Sequence, residues 1–149
     1  MEERKRALGP DHPDTLTTMN NLAANYNDQG RYSEAEELYR ECLEKRKRVL
    51  GPDHPSTLTT MSNLADNYGD QGRYNEADEL YRECLESYER VLGPDHPDTL
   101  RTKNNLAGNY KAQGRCNEAE ELYRECLEKR KRLLGPDHPD TLDTMNDLA

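Results

Sequence analysis

Isoleucine, phenylalanine and tryptophan are absent from these 149 residues, and leucine plus valine come to only 21. Hydrophobic residues make up 32% of the chain, its nine aromatic side chains are all tyrosine, and the formal net charge is −9. So few large apolar side chains cannot fill one broad central core, and composition alone places the chain among disordered segments. No apolar run approaches the ~18–20 residues of a membrane span, and the N-terminus lacks the hydrophobic region of a secretory signal. The expectation is therefore no membrane association and, by default, a cytoplasmic location. The acidic balance supplies no basic face for nucleic acid. The four cysteines do not form a disulfide framework.

What the chain does have is repetition. Leu-Gly-Pro-Asp-His-Pro begins at Leu8, Leu50, Leu92 and Leu134, each 42 residues after the last. Leu8–Val49 and Leu50–Val91 agree at 33 of 42 positions with no insertion or deletion. Glu2, Arg4 and Arg6 fall in phase with Glu44, Arg46 and Arg48. The expected organisation is a single array: 1–7 the end of a second helix, 8–49, 50–91 and 92–133 complete repeats, and 134–149 the first helix of a fourth. An array needs no large central core, because each unit buries its apolar stripe against its neighbours.

Each unit reads as two helices. From Pro13 the apolar residues Leu16, Met19, Leu22, Ala23 and Tyr26 form one helical stripe. Proline suits the first turn, and Gly30 is placed to end the helix in a left-handed conformation. Ser33 with Glu36 reads as a capping box opening a second helix, repeated by Asn75/Asp78 and Asn117/Glu120. Its expected stripe is Ala35, Leu38, Tyr39, Cys42 and Leu43, extended to Val49 and Leu50, and Gly51-Pro52 stops it. Glu36–Arg40, Glu41–Lys45 and Glu44–Arg48 are i, i+4 pairs on the exposed face.

Leu22-Ala23-x-x-Tyr26 followed by Ala35-x-x-x-Tyr39-x-x-Cys42 resembles the tetratricopeptide pattern. The longer 42-residue unit, with Asn-Asn-Leu-Ala-x-x-Tyr-x-x-Gln-Gly-Arg-Tyr-x-Glu-Ala, resembles repeats of kinesin light chains and related adaptors. The resemblance implies an all-α, right-handed superhelical solenoid of antiparallel helix pairs that binds peptide segments of protein partners in a concave groove.

Differences between units mark one face of the first helix: Thr17/Thr59/Arg101, Asn20/Ser62/Asn104, Ala24/Asp66/Gly108 and Asn27/Gly69/Lys111. The resemblance implies that Thr17, Asn20, Ala24, Asn27, Thr59, Ser62, Asp66, Arg101, Asn104, Gly108 and Lys111 line the groove. The bland alternative is a solvated helix face. Arg101 and Lys111 suggest a cationic patch for an acidic or carboxylate-ended peptide, while Lys103, in the core stripe, is expected to snorkel outward. The repeats that clamp a chaperone's C-terminal carboxylate present Lys and Asn four residues apart on this face, and no unit here has the pair. The invariant Asn21/Asn63/Asn105 and Asn25/Asn67/Asn109 are expected to form a hydrogen-bond ladder between units.

Other chemistry is set aside. One histidine per unit (His12, His54, His96, His138) separates the imidazoles by a repeat's thickness, beyond a shared metal shell. Cys42, Cys84 and Cys126 read as compact core residues, and Cys116 as the more exposed one. The glutamates sit on exposed faces, and Gly-Pro-Asp-His lacks the glycines of a phosphate loop. No enzyme activity, metal or cofactor is expected. Lys45–Arg48 and Lys129–Arg132 look like import signals but read more simply as charged helix faces. Two functions stay open: a peptide-binding scaffold, or a purely architectural array. Uncapped termini also lead to an expectation of end-to-end self-association.

Overall fold

The computed structural model describes residues 12–148, so the helix end expected within 1–7 lies outside the described residues. All regular structure among these residues is helical: α1 Pro13–Asp28, α2 Tyr32–Leu50, α3 Pro55–Asp70, α4 Tyr74–Leu92, α5 Pro97–Ala112, α6 Cys116–Leu134 and α7 Pro139–Leu148. The chain divides into two compact units after Arg73. In the first, α2 packs on both α1 and α3; in the second, α5 packs on α4 and α6, and α6 on α7.

The turns explain the helix ends. Each of His12, His54 and His96 is an N-cap whose Nδ1 accepts from the backbone N–H two residues on, at 3.0–3.1 Å. His138 makes the same bond to the N–H of Asp140, at 3.1 Å. The cap occupies an otherwise orphaned donor, and the following proline fills the first helical position at no hydrogen-bond cost. Gly30 and Gly51 sit at φ 79 and 97, the left-handed region that a side chain resists. Between α1 and α2 the expected capping box does not form. The helix starts two residues earlier, at Tyr32, with Arg31 in place of Ser33 as an N-cap whose side chain makes no capping bond.

Packing follows the helical stripes. Leu16 and Met19 of α1 cluster with Cys42 and Leu38 of α2, Ala23, Ala35 and Tyr39 are buried, and the Cys42 thiol donates to the Leu16 carbonyl at 3.4 Å. The alanines lie where helices approach closely: Ala23, Ala35, Ala65, Ala77 and Ala107 are wholly buried. Each fully buried Leu or Met contributes about 2–3 kcal/mol. That is enough for narrow two-helix layers where it would not fill a wide core. Val49 departs from its expected place in the stripe, being 46% exposed in the last turn of α2.

Polar bolts supply the rest. Arg46 is buried, and its guanidinium donates to the Ser56 carbonyl (3.0 Å), Thr60 Oγ1 (2.8 Å) and Thr17 Oγ1 (3.2 Å). It thus ties α2 to α1 and α3 at once. Arg130 repeats the device on Asp140 and Thr144. Each basic run therefore contains an interior structural arginine, while Lys45 pairs with Glu41 and Lys129 with Asp95.

Candidate interaction groove

In the first unit α1 and α3 lie side by side and are cross-linked by the face expected to line a groove. Asn20 Oδ1 accepts from Thr60 Oγ1 (3.2 Å), and Asn27 donates to Asp70 Oδ2 (2.8 Å) while accepting from Asn67 (2.8 Å). Asn67 also donates to the Tyr32 carbonyl at 3.0 Å, and Asn109 donates to the Tyr74 carbonyl at 3.1 Å and to Asp78. The asparagine ladder joins successive repeats at these two positions, with Asn67 and Asn109 buried and Asn25 exposed.

Two of the acids assigned to capping boxes serve this ladder. Glu36 accepts from Gln71 (3.0 Å) and Arg73 (2.7 Å), and Asp78 from Gln113 and Arg115 as well as Asn109. Each of these arginines also stacks on a tyrosine, Arg73 over Tyr68 at 4.4 Å and Arg115 over Tyr110 at 4.1 Å. Arg31 has the same place over Tyr26.

Of the groove residues in the first unit, Thr17 and Thr59 are exposed, and Asn20, Ala24, Asn27 and Asp66 half-buried. Ser62 is buried at 5% exposure; its short side chain does not reach the surface, so it offers a partner nothing. In the second unit Arg101, Asn104 and Asn105 of α5, with Arg130 of α6, line an open cleft of about 560 Å³ between α5 and α7. Asp140, Asp143, Asn146 and Asp147 of α7 line it as well.

The cationic patch expected there does not form. Arg101 pairs with Asp98 at 3.2 Å, the Lys111 ammonium donates to the Asp147 carbonyl at 2.9 Å, and Asn104 donates to the Asp147 carboxylate at 3.0 Å. Arg101 is offset by Asp98 one turn earlier on α5, and Lys111 is held by a main-chain carbonyl of α7, which the residues of α5 alone do not reveal. Lys103 is also not a solvent-facing snorkel: its side chain is 6% exposed and its amine pairs with Glu125 at 3.1 Å.

One groove residue escapes the sequence reading. Tyr39 and Tyr123 both read as core, but the Tyr123 hydroxyl reaches the first-helix face: a Cβ added to Gly108 would lie 3.3 Å from it. Burial, and then nearby aspartates, push both phenols up to about 12. The buried thiols of Cys42 and Cys126 are raised mainly by burial, whereas Cys116 is exposed. No group of three or more metal-ligating side chains exists among the described residues. Nor, among them, is any helix long and apolar enough to cross a membrane.

Helical hairpins repeat every 42 residues along the chain, and a tetratricopeptide repeat profile recognises them. That profile matches residues 1–48, 22–90, 68–131 and 98–149. The chain belongs to the tetratricopeptide repeat family.

Solved structures agree. A Podosopora anserina protein described as a kinesin light chain with nearly identical TPR-like repeats, solved as a point variant, superposes with a TM-score of 0.83. It is 29% identical over 99% of this chain and 69% of its own. BtubC (BKLC) of P. vanneervenii gives a TM-score of 0.82 at 25% identity over 92% of this chain and 55% of its own. The type III secretion translocator chaperone SycD of Yersinia enterocolitica shares the fold, with a TM-score of 0.66 at 18% identity over 92% of this chain and 90% of its own. None of the curated protein sequences matches. A tetratricopeptide chain of this kind is a protein-interaction repeat scaffold, of a fold that is typically non-catalytic.

Proposed function

We propose that this scaffold binds an extended peptide segment of a protein partner along the face formed by its first helices, and that it catalyses no reaction of its own. The observation that carries this reading is the 560 Å³ cleft between α5 and α7, open to solvent and lined by polar and charged side chains. Arg101 and Asp143 are exposed there and stand in for the groove. Ligand peptides with mixed charge fit a cleft lined by Arg101 together with Asp140, Asp143 and Asp147. Nothing in it favours nucleic acid or a membrane, and a cytoplasmic partner is the simplest assignment.

The test is a peptide-array screen followed by anisotropy with Arg101→Glu, Asp143→Lys and, as control, Glu121→Lys on a second helix. Loss of peptide binding in the first two, with unchanged circular dichroism and an unaffected control, is the expected result. Equal affinity in all three would end the groove reading.

A further inference from the structure

Large apolar side chains are scarce in this chain, yet one register leaves them bare in every repeat. Val49, Val91 and Leu133 occupy it in the last turns of α2, α4 and α6, and they are 46%, 45% and 47% exposed. One bare aliphatic residue is ordinary, but each forgoes the stabilisation that burial would bring. In the second unit the bare side chain does not stand on a flat surface. Leu133 borders a cavity of about 220 Å³ together with Pro97, Leu100 and Leu134. Leu100, 2% exposed, closes its floor, and Leu133 forms its rim.

Two of the charged residues on the cavity wall are already committed. Asp95 pairs with Lys129 at 3.4 Å and with Arg132 at 3.6 Å. The Arg130 guanidinium donates to the Asp140 carbonyl at 3.0 Å and to Thr144 Oγ1 at 2.7 Å. The cavity is also continuous with the polar cleft, because Pro97, Arg130 and Asp140 line both. Pro97 opens α5 and Asp140 lies in the first turn of α7, so the cavity sits at the end of the cleft where those helices begin. Beyond that shared edge it offers hydrocarbon. An apolar cavity of roughly 150 Å³ already admits benzene, so this one has room for a leucine side chain.

We propose that this cavity takes a leucine-sized aliphatic side chain of the segment bound in the cleft, and so anchors that segment at one end. The inference rests on the groove reading above and adds what the partner must carry: polar residues along the cleft and one aliphatic residue at its end. Exposed ion pairs in the cleft contribute orientation and little affinity. Burial of the anchor against Leu100, Leu133 and Leu134 supplies the larger share.

The probe is a randomised twelve-residue peptide library selected on the intact array, with the enriched peptides synthesised and titrated by anisotropy. Each is also made with its aliphatic residue replaced by alanine, which leaves the protein untouched. Leu133→Glu charges the rim and Leu133→Trp crowds the cavity. Both alter an exposed position, and circular dichroism checks that each variant folds. Val91→Glu, at the same register one repeat earlier, is the control.

Enriched peptides are expected to share one aliphatic residue. They should lose about tenfold in affinity, the effect of roughly two buried methylene groups, in both Leu133 variants and on alanine replacement. The ratio between each peptide and its alanine form should hold as salt rises to about 0.5 M. Peptides that respond to Arg101→Glu and Asp143→Lys but ignore the Leu133 variants, or lose as much in Val91→Glu, overturn this inference and leave the groove reading standing. Indifference to the cleft variants and the Leu133 variants alike overturns both. A mass that rises with concentration, and returns to monomer in Leu133→Glu, would put a second copy in the cavity and overturn this inference too.

Discussion

Arg46 offers the sharpest test of how the repeats are joined. Its guanidinium makes three hydrogen bonds, to Ser56, Thr60 and Thr17, from a side chain 7% exposed. Bonds from a charged donor contribute about 1.5–3 kcal/mol each, and removing the guanidinium from water offsets several kcal/mol of that sum. Truncation also loses the packing of the aliphatic stem. The net expectation for Arg46→Ala is a loss of about 3 kcal/mol.

The chain contains its own control. Tyr88 occupies the same register in α4, fully buried, and there Thr102 turns its hydroxyl to the Asp98 carbonyl at 2.9 Å. Thr60 already lies 3.3 Å from the Ser56 carbonyl and can do likewise. Arg46→Tyr should therefore cost under about 1 kcal/mol, the scale of a volume-conserving swap. Guanidinium chloride unfolding followed at 222 nm reads both effects. Because Arg46 couples α3 to the α1–α2 hairpin, the Ala variant should also unfold with a lower m-value. An Ala variant within about 0.5 kcal/mol of the parent, by the resolution of such fits, or a Tyr variant as damaged as Ala, refutes the reasoning.

Three further outcomes are expected. The folded-state pKa of Tyr39 is raised from 10.0 to about 12, so its share of stability is complete below pH 10 and is lost as pH rises through 12. That share is on the order of 2 kcal/mol, and Tyr39→Phe should flatten the alkaline limb of a stability–pH curve; an unchanged limb would show the phenol is not the cause. Lys103→Met restores the methionine of α1 and α3 at this register, and Glu125 is exposed enough to be left alone. A gain of about 1 kcal/mol in chemical unfolding is expected, since apolar replacement of a buried pair is often stabilising, and a loss above that size contradicts it. Native protein should react with a thiol reagent at Cys116 only, with Cys42, Cys84 and Cys126 labelled after unfolding; fast native labelling at Cys42 would mean α1 and α2 open readily.

The helices and their buried stripes were legible because Leu16, Met19 and Ala23, or Ala35, Tyr39 and Cys42, recur at helical spacing whatever surrounds them. Gly30 and the exposure of Cys116 were legible for the same local reason. What escaped depends on groups far apart in sequence. Ser33 with Glu36 has the form of a capping box, but Glu36 is taken by Gln71 and Arg73 of the next repeat, and the stacked Arg31 starts the helix at Tyr32. Arg46 looked like one charge in a basic run because its partners Ser56 and Thr60 lie beyond the turn. Lys111 looked like half of a cationic patch until α7 brought the Asp147 carbonyl to its ammonium. The tyrosine hydroxyls carried one faint signal: in a chain without phenylalanine, any aromatic core position brings a polar tip.

The most direct test of the central claim, that partners lie along the first-helix face, is site-specific photo-crosslinking. Benzoylphenylalanine is placed at Thr59 or Arg101 in the groove, and at Glu37 or Glu121 on the exposed side of the second helices, with library-selected peptides as the probe. Crosslinks at 59 and 101, and none at 37 and 121, are the predicted result. The reverse pattern would contradict the account.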